Sequence, residues 1–258
     1  MWFKIKSYFH FLIKSTNQHG VHSPFVYHLV TNCFYKKTNT SHLKIFKKVK
    51  NWLHLNKTTI TVSDFGKGSK VFKSNQRKVA EIAKIAGISN KKAFLLMRIC
   101  TYFNFENILE IGTSVGLGTA AISIGNNTAK ITTLEGCKNT AAVAQKVFEQ
   151  FNFNNIKCIV GNFDNTLPLI TKNKQLDLVY FDGNHQKEPT LNYFNECLKA
   201  AHNNTVFIFD DINWTKEMQE TWEIIKNHPK VSVTIDTYFW GFVFFRKEQK
   251  KEHFTIRI

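Results

Sequence analysis

The sequence predicts an α/β fold in which a sheet of five parallel strands is closed by an antiparallel hairpin, behind a basic and mainly helical N-terminal region. Three observations predict it. Strand-length apolar runs alternate with helical patterns from residue 107 onward. A glycine-bearing turn follows the first of those runs. Positive charge is concentrated ahead of it.

The charge boundary is sharp. Residues 1–104 hold 19 Lys and Arg against 2 Asp and Glu, a net of +17, while residues 105–258 hold 16 against 17, a net of −1, which together give the +16 of the whole chain. This asymmetry divides the chain into a basic helical region, 1–104, and a second region, 105–258. Hydrophobic residues make up 43% of the chain, enough for a buried core, but no stretch approaches the roughly 18 uncharged apolar residues of a membrane span. The start, MWFKIKSYFHFLIKS, is apolar but interrupted by Lys4, Lys6, His10 and Lys14. No small-residue cleavage site follows, so a signal peptide is not expected. Five cysteines lie far apart with no CxxC pair, which predicts reduced thiols in a cytoplasmic protein and no zinc site.

In the first region, Ser23-Pro24 is an N-cap and first-turn pair that predicts a helix over Phe25–Phe34. Apolar residues at helical spacing predict a second helix over Leu43–Leu55. Asp64–Ser69 (DFGKGS) reads as a turn. Gln76–Ala86 reads as a helix ended by Gly87, and Ser89 caps a further helix through about Phe103. In the second region the predicted strands are Asn107–Ile111, Lys130–Leu134, Ile156–Val160, Leu176–Phe181 and Thr205–Phe209. Helices are expected between them over Gly118–Ile124, Cys137–Phe151, Asn165–Thr171 and Pro189–Ala201. A helix over Thr215–Asn227 then precedes Val231–Ile235 and Tyr238–Arg246, which read as an antiparallel hairpin.

The segment Asn107–Thr119, NILEIGTSVGLGT, carries the most chemistry. A strand, a tight glycine turn and a helix N-terminus form a cradle for a nucleotide-like ligand. Glu110, just before Gly112, would repel a pyrophosphate and hold a cationic or amine-bearing ligand. Carboxylates recur at later strand ends: Glu135, Asp182 and the pair Asp210-Asp211. Open α/β sheets bind ligands at that edge, and a carboxylate at the end of the second strand can accept both hydroxyl protons of a ribose. Gly116–Ala121 also satisfies G-x-G-x-x-A. That fingerprint starts directly after its strand, whereas in this chain Gly112 already makes the turn, which argues against a dinucleotide enzyme.

Residues 105–245 resemble a class I S-adenosylmethionine-dependent methyltransferase, with a Rossmann-like sheet and a terminal hairpin. The turn Glu110–Thr119 (EIGTSVGLGT) is similar to that of the catechol and caffeoyl-CoA O-methyltransferase branch. The resemblance implies S-adenosyl-L-methionine as cofactor. Gly112, Thr113, Ser114 and Gly116 would lie against its methionine part, with Glu110 near its positive end. Glu135 and Gly136 would lie at the ribose, and Asn162 and Phe163 after the third strand would flank the adenine. Asp182 would serve both cofactor and acceptor. In the catechol enzymes an Asp after strand four and an Asp-Asn pair after strand five hold a divalent ion. This chain has Asp182 and Asp210-Asp211, with Asp in place of Asn, so two readings stand: ligands of Mg²⁺, or organisers of loops and waters. His185 falls three residues after Asp182, where the catechol enzyme has its catalytic Lys, and is the candidate base, the alternative being a hydrogen bond to the Asp210-Asp211 turn. Asn213 and Trp214 are candidates for the acceptor wall, against the plainer reading of a packed aromatic at a helix start.

The expected activity is methyl transfer to oxygen of a small-molecule acceptor, the basic region covering cofactor and substrate as such segments do in related enzymes. Two alternatives accompany it. One is a nucleic-acid methyltransferase docking through the basic region. Arg77 and Arg98 are the only arginines there, and FDGNH replaces the N-P-P-Y-type motif of many such enzymes, so nucleic acid is not favoured. The other is a cofactor-binding adaptor at a membrane, touching it through Trp2, Phe3, Tyr8, Phe9, Phe11 and Leu12.

Overall fold

The computed structural model describes residues 2–63, 74–172 and 174–258. The turn expected over Asp64–Ser69 lies outside the described residues. The chain divides into two compact units, Lys36–Thr166 and the residues up to Tyr35 together with Leu167–Ile258. This division does not follow the charge boundary near residue 104.

Helix α1 (Trp2–Lys14) is followed by a short 3-10 turn and by α2 (Pro24–Leu29). Ser23 caps α2, its hydroxyl accepting the Val26 N–H at 3.5 Å. The helix expected through Phe34 changes character after Leu29. Val30–Phe34 form a π turn in which Tyr35 N–H reaches the Val30 carbonyl at 3.0 Å. The Thr31 hydroxyl donates to the Tyr27 carbonyl at 2.8 Å, competing with the regular helical bond at that point.

In the unit Lys36–Thr166, α3 (Thr40–Leu55) leads to the antiparallel pair β1 (Thr59–Thr61) and β2 (Gln76–Lys78), then α4 (Val79–Ile85) and α5 (Asn90–Phe103). The helix expected over Gln76–Ala86 is therefore corrected at its start. Gln76 and Lys78 are exposed and Arg77 is buried, the two-residue period of a strand, and helical spacing begins only at Val79. Ser89 caps α5 as expected, accepting the Lys92 N–H at 3.3 Å. Strands β3 (Asn107–Ile111), β4 (Lys130–Glu135) and β5 (Ile156–Val160) run parallel in the order β3-β4-β5, joined through α6 (Leu117–Gly125) and α7 (Lys138–Gln150). After β5 comes α8 (Phe163–Thr171).

In the unit containing Leu167–Ile258, β6 (Leu176–Phe181) passes through α9 (Lys187–Cys197) to a parallel neighbour, β7 (Ala201–Asp210). Helix α9 stops four residues before the expected Ala201, and that residue opens β7 instead. The polar run His202–Asn204 conceals the strand start in the sequence. It is held by Thr205, which donates to the Leu176 carbonyl at 2.6 Å, and by a His202–Asp177 contact of 2.9 Å. Helix α10 (Lys216–Asn227) precedes the expected hairpin, β8 (Val233–Asp236) and β9 (Trp240–Phe244), with β9 antiparallel to both β7 and β8. Like β1 and β2, β10 (Glu252–Thr255) was not expected as a strand; it adds parallel to the outer edge of β8. Its polar, exposed start gives it no apolar signature.

The first 35 residues are tied to this unit by direct contacts. Phe25 meets Phe244 and Phe34 meets Phe242, each with ring centroids 5.0 Å apart. Thr16 N–H donates to the Thr255 carbonyl at 2.9 Å. The core around them is aromatic, with Tyr180, Phe207, Phe209, Trp240, Phe242 and Phe244 all fully buried.

Candidate functional site

The glycine turn is built onto the end of β4. Gly112 and Thr113 both donate their N–H groups to the Leu134 carbonyl, at 3.0 and 3.1 Å. The chain then passes through Ser114 at φ 50° and Gly116 at φ 87°, and Gly116 begins α6. A Cβ on Gly116 would stand 3.0 Å from the Phe148 ring and 3.1 Å from the Ala144 methyl. Both the left-handed backbone and the close approach of α7 therefore require glycine there. The N-terminal end of α6 presents the positive end of the helix dipole at this turn.

Below the turn lies a polar row that crosses three strands. Glu110, Thr133 and Cys158 are register partners on β3, β4 and β5. Glu110 Oε2 accepts from the Thr133 hydroxyl at 2.6 Å and from the Thr119 hydroxyl of α6. Thr133 and Thr113 hydroxyls are 2.6 Å apart. Glu110 has no exposed surface, and its Oε1 is buried with no partner. Burial pushes its carboxyl up to about 7, partly opposed by the two threonine hydrogen bonds and assisted by the charge of Glu135. Burial likewise pushes the Cys158 thiol up to about 11. Glu110 is thus an enclosed acid at the base of the turn. A cationic group bound nearby would act on it mainly through the field.

Glu135 ties the turn to the next strand end. Its Oε2 accepts the Ser114 N–H at 2.6 Å and its Oε1 accepts the Cys137 N–H at 2.9 Å. Its backbone carbonyl takes the Gly161 N–H at 2.9 Å, which places the segment after β5 beside it. Burial raises the Glu135 carboxyl above the usual range, against the pull of the backbone N–H groups on it. The Gly136 N–H and the Thr140 hydroxyl also act on this carboxylate, so a diol bound there would share it with donors of the protein. Asn162 accepts the Asp164 N–H at 3.0 Å, turning the chain into α8. The expected cofactor residues Glu110, Gly112, Thr113, Ser114, Gly116, Glu135, Gly136, Asn162 and Phe163 all fall in the unit Lys36–Thr166, and direct bonds join the turn, the β4 end and the β5 end. Thr119, Thr133 and Cys158 were not among the expected site residues. For Thr133 and Cys158 the signal is register, each lying opposite its neighbour across β3, β4 and β5, whereas Thr119 reaches Glu110 from α6.

The expected acceptor residues lie in the other unit, Asp182 among them. Phe181 and Phe209 are register partners with stacked rings 4.1 Å apart, so Asp182 and Asp210 follow adjacent strand ends. His185 Nε2 lies 3.8 Å from Asp182 Oδ1, and its ring meets Trp214 edge-on at 5.8 Å. The Tyr180 hydroxyl donates to Asp182 at 3.2 Å. Asp210 is buried and accepts the Asp211 N–H at 2.8 Å, while Asp211 takes a left-handed backbone at φ 54° and its carbonyl accepts the Trp214 N–H at 2.9 Å. Among the described residues no group of three or more His, Cys, Asp or Glu side chains is placed to hold a metal ion. Asp182, Asp210 and Asp211 are thus not gathered into the Mg²⁺ ligand set that the resemblance suggested. Asp210 instead braces the Asp211 turn.

Residues 109–212 match the methyltransferase domain family. No curated protein matches the chain by sequence. Among solved structures, it is similar to the SAH-bound methyltransferase PaMTH1 of Podospora anserina, at 14% identity and a TM-score of 0.61 over 84% of this chain and 92% of that one. It is similar to an O-methyltransferase from Bacillus cereus in complex with SAH, at 20% identity and a TM-score of 0.57 over 80% of this chain and 91% of that one. It is also similar to the O-methyltransferase TomG of Streptomyces achromogenes, involved in tomaymycin synthesis and solved with SAM, at 17% identity and a TM-score of 0.54 over 62% of this chain and 81% of that one. At these identities the likeness is one of fold. The chain thus shares the class I methyltransferase fold of these solved structures, and its residues 109–212 match the methyltransferase domain model.

Proposed function

We propose that the protein transfers a methyl group from S-adenosylmethionine to an oxygen atom of a small-molecule acceptor. The observation that carries this reading is Glu135, a carboxylate at the end of β4 bonded to the glycine turn through Ser114 and to the start of the next helix through Cys137. Such a group suits the two hydroxyls of a ribose. Glu110, enclosed at the base of the same turn, would act on a positively charged ligand there through its field and not by contact. The cofactor, when bound, supplies an already activated methyl group on a sulfonium.

The protein's own residues then position the groups and manage one proton. The turn from Gly112 to Gly116 would receive the methionine part, Glu135 the ribose, and Asn162 and Phe163 the adenine. His185 would take the proton from the acceptor hydroxyl, with its Nε2 3.8 Å from the Asp182 carboxylate. Fixing the acceptor oxygen in line with the methyl group would supply most of the acceleration, since the leaving group needs no help. Solved O-methyltransferases of the same fold hold SAM or SAH, which supports this choice of cofactor.

The test is titration calorimetry with S-adenosylmethionine, followed by transfer of a labelled methyl group to a panel of small phenols, catechols and aliphatic alcohols. Binding together with methylation of a hydroxylated acceptor supports the reading. No binding of the cofactor overturns it. Binding with transfer only to nitrogen or to nucleic acid overturns the acceptor class.

A further inference from the structure

We propose that α1 docks this protein on an anionic lipid surface, using an apolar stripe that folding leaves uncovered. One face of the helix is already occupied. Phe11 is buried against Tyr238, with ring centroids 5.5 Å apart, and Tyr8 meets the same ring edge-on at 4.8 Å. The Tyr238 hydroxyl donates to the Lys4 carbonyl at 3.0 Å, Ser7 donates to Asn213 at 3.2 Å, and Gln219 donates to Ser7 at 2.7 Å. These contacts fix which way the helix faces.

The opposite face holds Trp2, Ile5, Phe9 and Ile13, which are 86, 57, 64 and 69% exposed. Their spacing of three, four and four residues puts them on one narrow line, because an α-helix turns about 100° per residue. Phe11 lies roughly diametrically across from that line. The stripe is therefore not the folding face of α1. Of the residues expected from the sequence to touch a membrane, Phe3, Phe11 and Leu12 turn inward or sideways, with Phe11 buried and the other two half-buried.

Charge selects the occupant. Lys6 and His10 border the stripe, Lys14 ends the helix, and no acidic residue occurs before Asp64, while Lys4 lies over the Trp214 ring, 5.2 Å from its centroid. A second copy seated on this stripe would bring like charge against like charge. An anionic bilayer surface would accept the large apolar side chains at the level of its headgroups and pair with Lys6 beside them. The helix is far too short and too charged to span: among the described residues no helix is long and apolar enough to cross a membrane.

The test uses the full chain and sedimentation with vesicles of phosphatidylcholine, alone or with roughly one-third phosphatidylglycerol. Wild type should partition onto the anionic vesicles and be released by high salt. Ile5→Ser/Phe9→Ser should weaken that partition by about tenfold or more while leaving the thermal midpoint unchanged. A second measurement does not depend on that variant: brominated lipid should quench wild-type tryptophan fluorescence, and Trp2→Phe should remove most of the quenching. No binding to anionic vesicles overturns the proposal. So does binding that both substitutions leave intact, which would assign it to charge alone. A dimer in solution that Ile5→Ser/Phe9→Ser dissociates would give the stripe to a second copy and equally overturn it.

Discussion

The hydroxyl of Thr133 donates to Oε2 of Glu110 at 2.6 Å, and the two residues are register partners on β4 and β3. The pair shows how this fold keeps an acid inside its sheet. One oxygen is satisfied by two threonines and the other is left without a donor. Glu110 therefore holds its proton up to about pH 7 in the fold, against an ordinary value of 4.5.

Stability should consequently fall as the solution is made less acidic. The folded acid binds its proton more tightly than the unfolded one, so this contribution is complete below about 4.5 and is lost as pH climbs through about 7. The loss is on the order of 3 kcal/mol. Glu110→Gln, which imitates the protonated acid, should flatten that slope and melt higher than wild type at about pH 8 in the absence of ligand. Thermal melts of both proteins across this range decide the matter; parallel profiles would contradict it.

Glu135→Ala should weaken S-adenosylmethionine binding by about 10- to 100-fold, the worth of one or two hydrogen bonds to a charged group. The same change removes the acceptor for the Ser114 N–H, so the turn should loosen even without ligand. Calorimetry reads the first effect and amide hydrogen exchange at Ser114 the second. Unaltered affinity would dissociate Glu135 from the cofactor.

Gly116→Ala should destabilise the fold by about 2 kcal/mol. Two causes add: a left-handed backbone at φ 87°, and a methyl group forced to 3.0 Å from the Phe148 ring. Denaturant titration measures the loss. A cost close to zero would mean that α7 can retreat from the turn.

His185→Ala should reduce turnover by about a hundredfold or more while changing cofactor affinity by less than about twofold. Its neighbours Asp182 and Trp214 hold the ring without belonging to the unit that carries Glu135, so the two effects should separate. Single-turnover rates set against calorimetric affinity check the split. Wild-type turnover would exclude the imidazole as base.

Much of the architecture was legible in the residues. The strands β3 and β6 fall within the expected bounds because they are largely buried and their apolar runs start and stop abruptly, and β5 does so because Asn155 and Gly161 bracket it. Ser23 and Ser89 marked their helices by capping chemistry, which acts over three residues and needs no distant partner. The misses have the opposite character. Strand β2 exists through pairing with Thr59–Thr61, and β10 through pairing with β8, so neither carries a strong pattern of its own. The candidate site divides in the same way. Glu110 and Glu135 could be found because each ends or nearly ends an apolar run. Thr133 and Cys158 could not, because an ordinary threonine or cysteine acquires meaning only when register sets it beside Glu110.

By itself, the amino-acid order determined which segments become strands and helices and which strand ends carry acids, since periodicity, caps and glycine turns act between near neighbours. Only the tertiary structure decided that Glu110 would be enclosed, that the first 35 residues would join the C-terminal segment, and that α1 would turn Phe11 inward and leave Phe9 outside. Those outcomes depend on contacts between residues up to two hundred or more positions apart, such as Ser7 with Asn213, and no local pattern encodes them.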